Sequence, residues 1–318
     1  MYWTRSGANM MRALYSAVCS AVIVLGMVTP SPAASKPELQ TNWVRANGIT
    51  FRYRLEGNGP DTIVLLHENG MALESWDYVV PELIKNHRVL RYDLRNFGLS
   101  QSVKTPYTIH DESADLREIL KALNISGKAH VVGVAIGGAL ALAFAADYPE
   151  LTANVIAISP AAYLQGRAMQ GMAGGGGGAG GPPVGAPGSA PAGAAPASGR
   201  PASVDMTAMN EGAYPTRMRE QSPERYERYQ ALQASAASAG AGTATMSAIY
   251  AVKYAELLPT IKVPAVVAAT SLWTRPVEEY KALADAIPNS HFEVLETGHF
   301  ASLASPDLVV ALIKKYVK

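Results

Sequence analysis

Three glycines at a change of periodicity constrain this chain most. His130-Val131-Val132 is apolar and strand-like, and Ala139–Tyr148 reads as a helix. Only Gly133-Val134-Ala135-Ile136-Gly137-Gly138 lies between them. A strand that turns straight into a helix brings two backbones close together, and Gly137 and Gly138 permit that approach. The unit is strand, sharp turn, helix, and it predicts a sheet with crossover helices.

The rest of the chain supports that prediction on both sides of the turn. Thr41–Ala46 and Ile49–Leu55 alternate as strands, with Asn47-Gly48 as a two-residue hairpin turn. Asp61–His67 is an unbroken apolar run, the pattern of a strand buried on both faces of a parallel sheet. Trp76, Val79, Val80 and Leu83 follow at helical spacing, then the strand Arg88–Tyr92 and an amphipathic helix over Ile109–Leu123. Asn154–Ser159 is a further strand. After an interruption, Ala265–Thr270 and His291–Leu295 read as strands, and Val277–Ala286 and Pro306–Tyr316 as helices. The fold class predicted is α/β, a mostly parallel sheet with helices on both faces.

Residues 161–258 interrupt the alternation. Within them, 173–202 is Gly, Ala and Pro with almost no large apolar side chain, and such composition cannot offset its ordering entropy. Its glycine run, Gly174–Gly178, follows no strand and lacks a Gly-Lys-Ser/Thr ending, so it is no phosphate loop. Ser222–Ala237 and Ala244–Leu257 are expected to be helices. The whole insertion is read as a lid over the sheet's carboxyl edge. The expected organisation is therefore 36–160 and 259–318 as two parts of one core, with 161–258 inserted.

Residues 1–35 carry a different signal. Arg5 and Arg12 precede an apolar run from Ala13 to Val28, and small residues follow to Ser35, as in a cleaved export signal. An uncleaved anchor is the other reading of the same run. The protein is accordingly expected to be exported, periplasmic or secreted. Cys19 is the only cysteine and lies in that run, which leaves no disulfide, thiol nucleophile or thiolate metal site in the mature chain. Without Arg5 and Arg12 the charges stand at 25 basic against 26 acidic, with no basic stripe, so nucleic acid is not an expected partner. No dinucleotide, flavin or metal motif is present, and no cofactor is expected.

Four pieces stand in order after strands: His67-Glu68-Asn69-Gly70, Asp93–Ser100, the turn Gly133–Gly138, and Gly298-His299-Phe300. In this order and spacing the chain, from about Ile49 to its end, resembles the α/β-hydrolase superfamily. The nearest look is to 3-oxoadipate enol-lactonases and carbon–carbon bond hydrolases. The resemblance implies a G-x-S-x-G elbow with its nucleophile at Ala135, a histidine at His299 and an acid near Leu272. It also implies an oxyanion hole from the backbone amides of Ile136 and of Glu68 or Asn69. Asp93 and Arg95 correspond to a supporting loop, with Asn96 where the family has glycine.

The departures are chemical. Ala135 has no hydroxyl to acylate, and Leu272 has no carboxylate. Glu68 is a carboxylate where the family has glycine. One expectation is an enzyme acting on a small ester, lactone or β-dicarbonyl compound without a serine. His299 would be its base, and Glu68 would orient His299 and raise its pKa. The alternative is an inactive relative that binds a small apolar ligand. Trp76 and Trp273 are expected to pack near the rim, and Ser159 and Ser271 to be solvated loop serines.

Overall fold

The computed structural model describes residues 41–164, 218–236, 247–273 and 275–318. The expected leader and the Gly/Ala/Pro segment 173–202 lie outside them. The described chain carries one eight-stranded sheet in the order β1-β2-β4-β3-β5-β6-β7-β8. The strands are β1 (Asn42–Ala46), β2 (Ile49–Glu56), β3 (Thr62–Leu66), β4 (Arg88–Tyr92), β5 (Ala129–Val134), β6 (Thr152–Ile158), β7 (Ala265–Thr270) and β8 (Ser290–Leu295). β1 pairs with β2, and β2 with β4, in antiparallel fashion; every other pairing is parallel. The α/β-hydrolase fold expected from the sequence is the fold observed.

The first hairpin follows from two residues. Asn47 and Gly48 have φ of 48° and 77°, the left-handed pair that a twisted two-residue turn requires. The central strands are apolar on both faces because both faces are covered. Val64 and Leu66 of β3 enter one core layer, while Ile63 and Leu65 enter the other. Helix α2 (Ile109–Ala122) starts at a capping box in which Thr108 and Asp111 bond each other's backbone amides. It packs on α3 (Ile136–Asp147), the buried helix that leaves β5. Helix α6 (Val277–Asp285) covers β7 and β8, and α8 (Pro306–Tyr316) closes the opposite layer.

Two expected helices are divided, the one around Trp76 and, in its described part, Ala244–Leu257. Trp76 ends a 3-10 turn, Leu73–Trp76, and Val80–Leu83 forms the short α1. All four residues of the turn are buried, so it packs as a plug and not as an amphipathic surface helix. Between β6 and β7 stand α4 (Pro223–Ala236), a helical turn at 247–250 and α5 (Tyr254–Leu257). Ile249, Tyr254 and Leu258 belong to the main core. Tyr229 and Leu232 of α4 close a separate cluster with Met71, Phe300 and Leu303. A 2.6 Å ion pair from Arg228 to Asp77 also fastens α4 to the core.

Candidate active site

The turn after β5 is built around a strained alanine. Ala135 has φ 50° and ψ −110°, a conformation that L-residues adopt only where surroundings force it. Three backbone bonds do so: its amide donates to the Ile158 carbonyl, and its carbonyl accepts from the amides of Ala139 and Ala161. Glycine is obligatory beside it. A Cβ on Gly133 would lie 2.1 Å from the Gly137 carbonyl oxygen, and one on Gly137 2.3 Å from that of Leu66. That contact brings the start of α3 against the end of β3. Ile136 opens α3, so its amide is among those with no acceptor inside the helix.

The loop after β3 carries His67, Glu68 and Asn69. His67 is fully buried and held as a neutral strut. Its Nε2 accepts from the Leu94 amide at 3.0 Å, and its Nδ1 lies 2.8 Å from the Glu68 carbonyl oxygen, to which it donates. Burial pulls its pKa down. Glu68 is also fully buried. Its Oε1 accepts from the Ser302 hydroxyl at 3.2 Å; among the described residues its Oε2 has no hydrogen bond, with the Ser75 hydroxyl, itself unbonded there, close by. Removal from water pushes its pKa up to about 7, opposed more weakly by its own amide and by the hydroxyls of Ser302 and Ser75. The side-chain oxygen of Asn69 is likewise buried without a partner among the described residues.

His299 comes from the loop between β8 and the short helix α7 (Ala301–Ala304). Its ring stacks on Trp273 at 4.3 Å with 19° between the planes, and meets Phe300 edge-on at 5.3 Å. Its Nδ1 is buried and has no partner among the described residues. Leu272 is partly exposed and its amide donates to the Thr297 carbonyl, so no carboxylate reaches the imidazole from that position. Loss of water lowers the His299 pKa to about 4. The expected rise caused by Glu68 therefore does not occur. Glu68 spends its bonded oxygen on Ser302, and burial alone governs the imidazole. A pocket of about 170 Å³ opens beside Leu272 and is also lined by Met218, Glu296 and Ser305.

Other sequence expectations resolve clearly. Asp93 and Arg95 are supports. Asp93 accepts from the amides of Leu73 and Leu99 and pairs with Arg52, while Arg95 makes a two-pronged bond to Asp115. Asn96 can replace glycine because its φ is 66° and its side chain bonds the Val103 amide and the Tyr107 hydroxyl. Trp76 packs, as expected, but in the core and not near the rim. Trp273, by contrast, covers the imidazole. Ser159 is not a solvated loop serine: it is buried and bonds the Thr270 hydroxyl at 2.6 Å, tying the ends of β6 and β7. Ser271 is exposed. Sequence reasoning missed Ser302 and Tyr229. Neither carries a local signal, because each meets the site only through contacts distant in sequence.

Comparison with known proteins agrees with this architecture. The chain is 31% identical over 122 residues to the 2-hydroxy-6-oxo-6-(2'-aminophenyl)hexa-2,4-dienoic acid hydrolase of Metapseudomonas resinovorans, covering 37% of this chain and 42% of that protein. It is 37% identical over 120 residues to the 2-hydroxy-6-oxo-2,4-heptadienoate hydrolase of Pseudomonas putida, covering 36% of this chain and 42% of that one. The chain thus spans about two fifths of the length of these curated relatives. The enol-lactonase from Burkholderia xenovorans superposes with a TM-score of 0.68 at 23% identity, over 87% of this chain and 99% of that chain, a likeness of fold. Residues 63–312, which hold β4 to β8 and the turn just described, match the model of the alpha/beta hydrolase family, and the chain belongs to that family.

Proposed function

We propose that the protein is an enzyme that hydrolyses or cleaves a small ester, lactone or β-dicarbonyl compound without a covalent acyl intermediate. Ala135 stands in the nucleophile's place, and the chemistry is general acid–base. The observation that carries this reading is the opposed pair of buried groups. His299 is held neutral with a pKa of about 4, and Glu68 is held protonated up to about 7. Two titratable groups pushed apart by their surroundings provide a base and an acid at the same pH. His299 Nδ1 takes a proton from water or from a carbon acid, and Glu68 donates one. The amides of Ile136 and Asn69 supply the backbone oxyanion hole. The leader supports export to the periplasm or medium.

The relatives favour this class, since those named above are hydrolases of oxo-dienoic acids. The test is a turnover screen of the protein on aryl esters, lactones and β-diketones beside His299→Ala and Glu68→Gln. Each variant is expected to lose about 100-fold, the usual contribution of one acid or base. Turnover equal in all three proteins would remove both groups from the mechanism. An absence of turnover in every one would favour the ligand-binding alternative.

A further inference from the structure

A third buried group faces this site from the inserted residues. Tyr229 lies on α4, is 4% exposed, and sets its ring 4.8 Å from that of Phe300, the neighbour of His299. Its hydroxyl is buried and has no hydrogen-bond partner among the described residues. Buried tyrosine hydroxyls ordinarily find one, so an orphan beside a second orphan marks a place for a polar ligand atom. That second orphan is Glu68 Oε2, on the carboxyl bonded by Ser302, two residues along the chain from the Phe300 ring that Tyr229 packs on. Burial first, then the nearby phenol Tyr226 and the Glu68 charge, push the Tyr229 pKa up to about 12. Both groups therefore carry protons in weak acid and can donate.

We propose that the Tyr229 hydroxyl and the Glu68 carboxyl form a paired donor site for the oxygen of a neutral, enolisable carbonyl compound such as a 1,3-diketone. The proposal rests on the acid–base reading above and names its substrate class. The charges near the site support neutrality of the substrate. Arg225 lies over the Tyr78 ring and bonds the Ala304 carbonyl, and Arg228 is engaged by Asp77. Among the described residues of α4, neither cation is directed at the Glu68–Tyr229 pair. A substrate carboxylate would meet a carboxyl there, whereas a carbonyl oxygen gaining charge would meet two donors. In the reaction, the C–H bond between the carbonyls breaks and its proton passes to His299 Nδ1. The bonding pair moves into a C=C bond, and the carbonyl π pair becomes an oxygen lone pair held by the O–H groups of Tyr229 and Glu68. His299 exchanges that proton with solvent and returns a solvent proton to the same carbon, so the net reaction is exchange of the C–H hydrogen with water and no oxidant or reductant enters.

The test uses the full chain and Tyr229→Phe, which keeps the ring and deletes only the hydroxyl. Two readouts are taken at pH 6: turnover of a 1,3-diketone, followed as exchange of its central hydrogen in deuterium oxide, and affinity for 4-nitrophenol as a mimic of the enol. The expected result is a kcat about 100-fold lower, as for loss of one oxyanion donor. The nitrophenol affinity is expected to fall about 10-fold, as for one neutral hydrogen bond. Tyr226→Phe, one turn away on the same helix, is expected to match the parent in both, and the melting temperature of Tyr229→Phe to stay within a few degrees. Unchanged nitrophenol affinity in Tyr229→Phe would overturn the donor pair even if Glu68→Gln and His299→Ala had abolished turnover, leaving the acid–base reading intact. Tyr229-dependent nitrophenol binding without turnover in any variant would keep the donor pair and sink that reading.

Discussion

Two buried carboxylates sit one strand apart at the same sheet edge and live opposite lives. Asp93, after β4, accepts from two backbone amides and from Arg52, which also grips Glu74 with both oxygens bonded. A Cβ on Gly98 would fall 2.1 Å from the Asp93 carboxylate, so even the loop glycine is fitted to it. Glu68, after β3, is equally buried and has one serine hydroxyl and one bare oxygen. A charge that is fully bonded holds a loop in place. A charge left half-bonded out of water is held ready to change its protonation state, which is the property catalysis uses. The same contrast separates the histidines: His67 uses both ring nitrogens on backbone, while His299 leaves Nδ1 unbonded.

Removing the satisfied carboxylate tests the contrast most forcefully. Asp93→Ala leaves Arg52 with a reduced partner set, and breaking such a buried pair costs about 3–5 kcal/mol. Chemical denaturation at neutral pH is expected to show that loss. A loss under 1 kcal/mol would mean that the network is not what fixes the loop.

Glu68→Gln is expected to act in the other direction on stability and strongly on rate. Its folded pKa lies above the ordinary value of 4.5, at about 7. The favourable contribution is thus complete below 4.5 and is lost as pH rises through 7, a penalty of roughly 3 kcal/mol at alkaline pH. The variant removes that slope while lowering turnover about 100-fold. Stability curves that overlay between pH 4 and 9 would contradict it.

The pH dependence of kcat/KM sharpens the same point. With His299 at about 4 and Glu68 at about 7, base and acid are both in their working forms only between those limits. A bell centred near pH 5 to 6 is expected, with its alkaline limb abolished in Glu68→Gln. An optimum above pH 8 would assign the acid–base work to other groups.

Ala135→Ser is expected to do least. The elbow geometry would present the hydroxyl, but His299 has no carboxylate behind it and is a weak base. Esterase activity within about tenfold of the parent and slow labelling by a fluorophosphonate follow. Brisk labelling would show that the alanine alone separates this protein from a serine hydrolase.

The sequence made the sheet legible because a strand buried on both faces, such as Thr62–Leu66, is apolar throughout, and because Asn47-Gly48 and Gly133–Gly138 permit few alternatives. The order of β3 and β4 in the sheet was not legible, since it is set by crossovers and not by local pattern. Ala135, Leu272, Glu68 and His299 were visible as residues at motif positions. Their electrostatics were not. Burial governs both the neutrality of His299, whose ring lies against Trp273 and Phe300, and the protonation of Glu68, and the Glu68–Ser302 bond joins residues 234 apart in the chain. Ser159 was misread for the same reason: its burial comes from β7, more than a hundred residues away.

The most direct measurement is a carbon-13 NMR titration of the side-chain carboxyls, taken as the difference between the protein and Glu68→Gln. It needs no substrate. The account predicts that the missing resonance titrates at about 7. A resonance that titrates near 4.5, like an ordinary glutamate, would contradict it, because Glu68 would then be a charged structural group and the contrast with Asp93 would vanish.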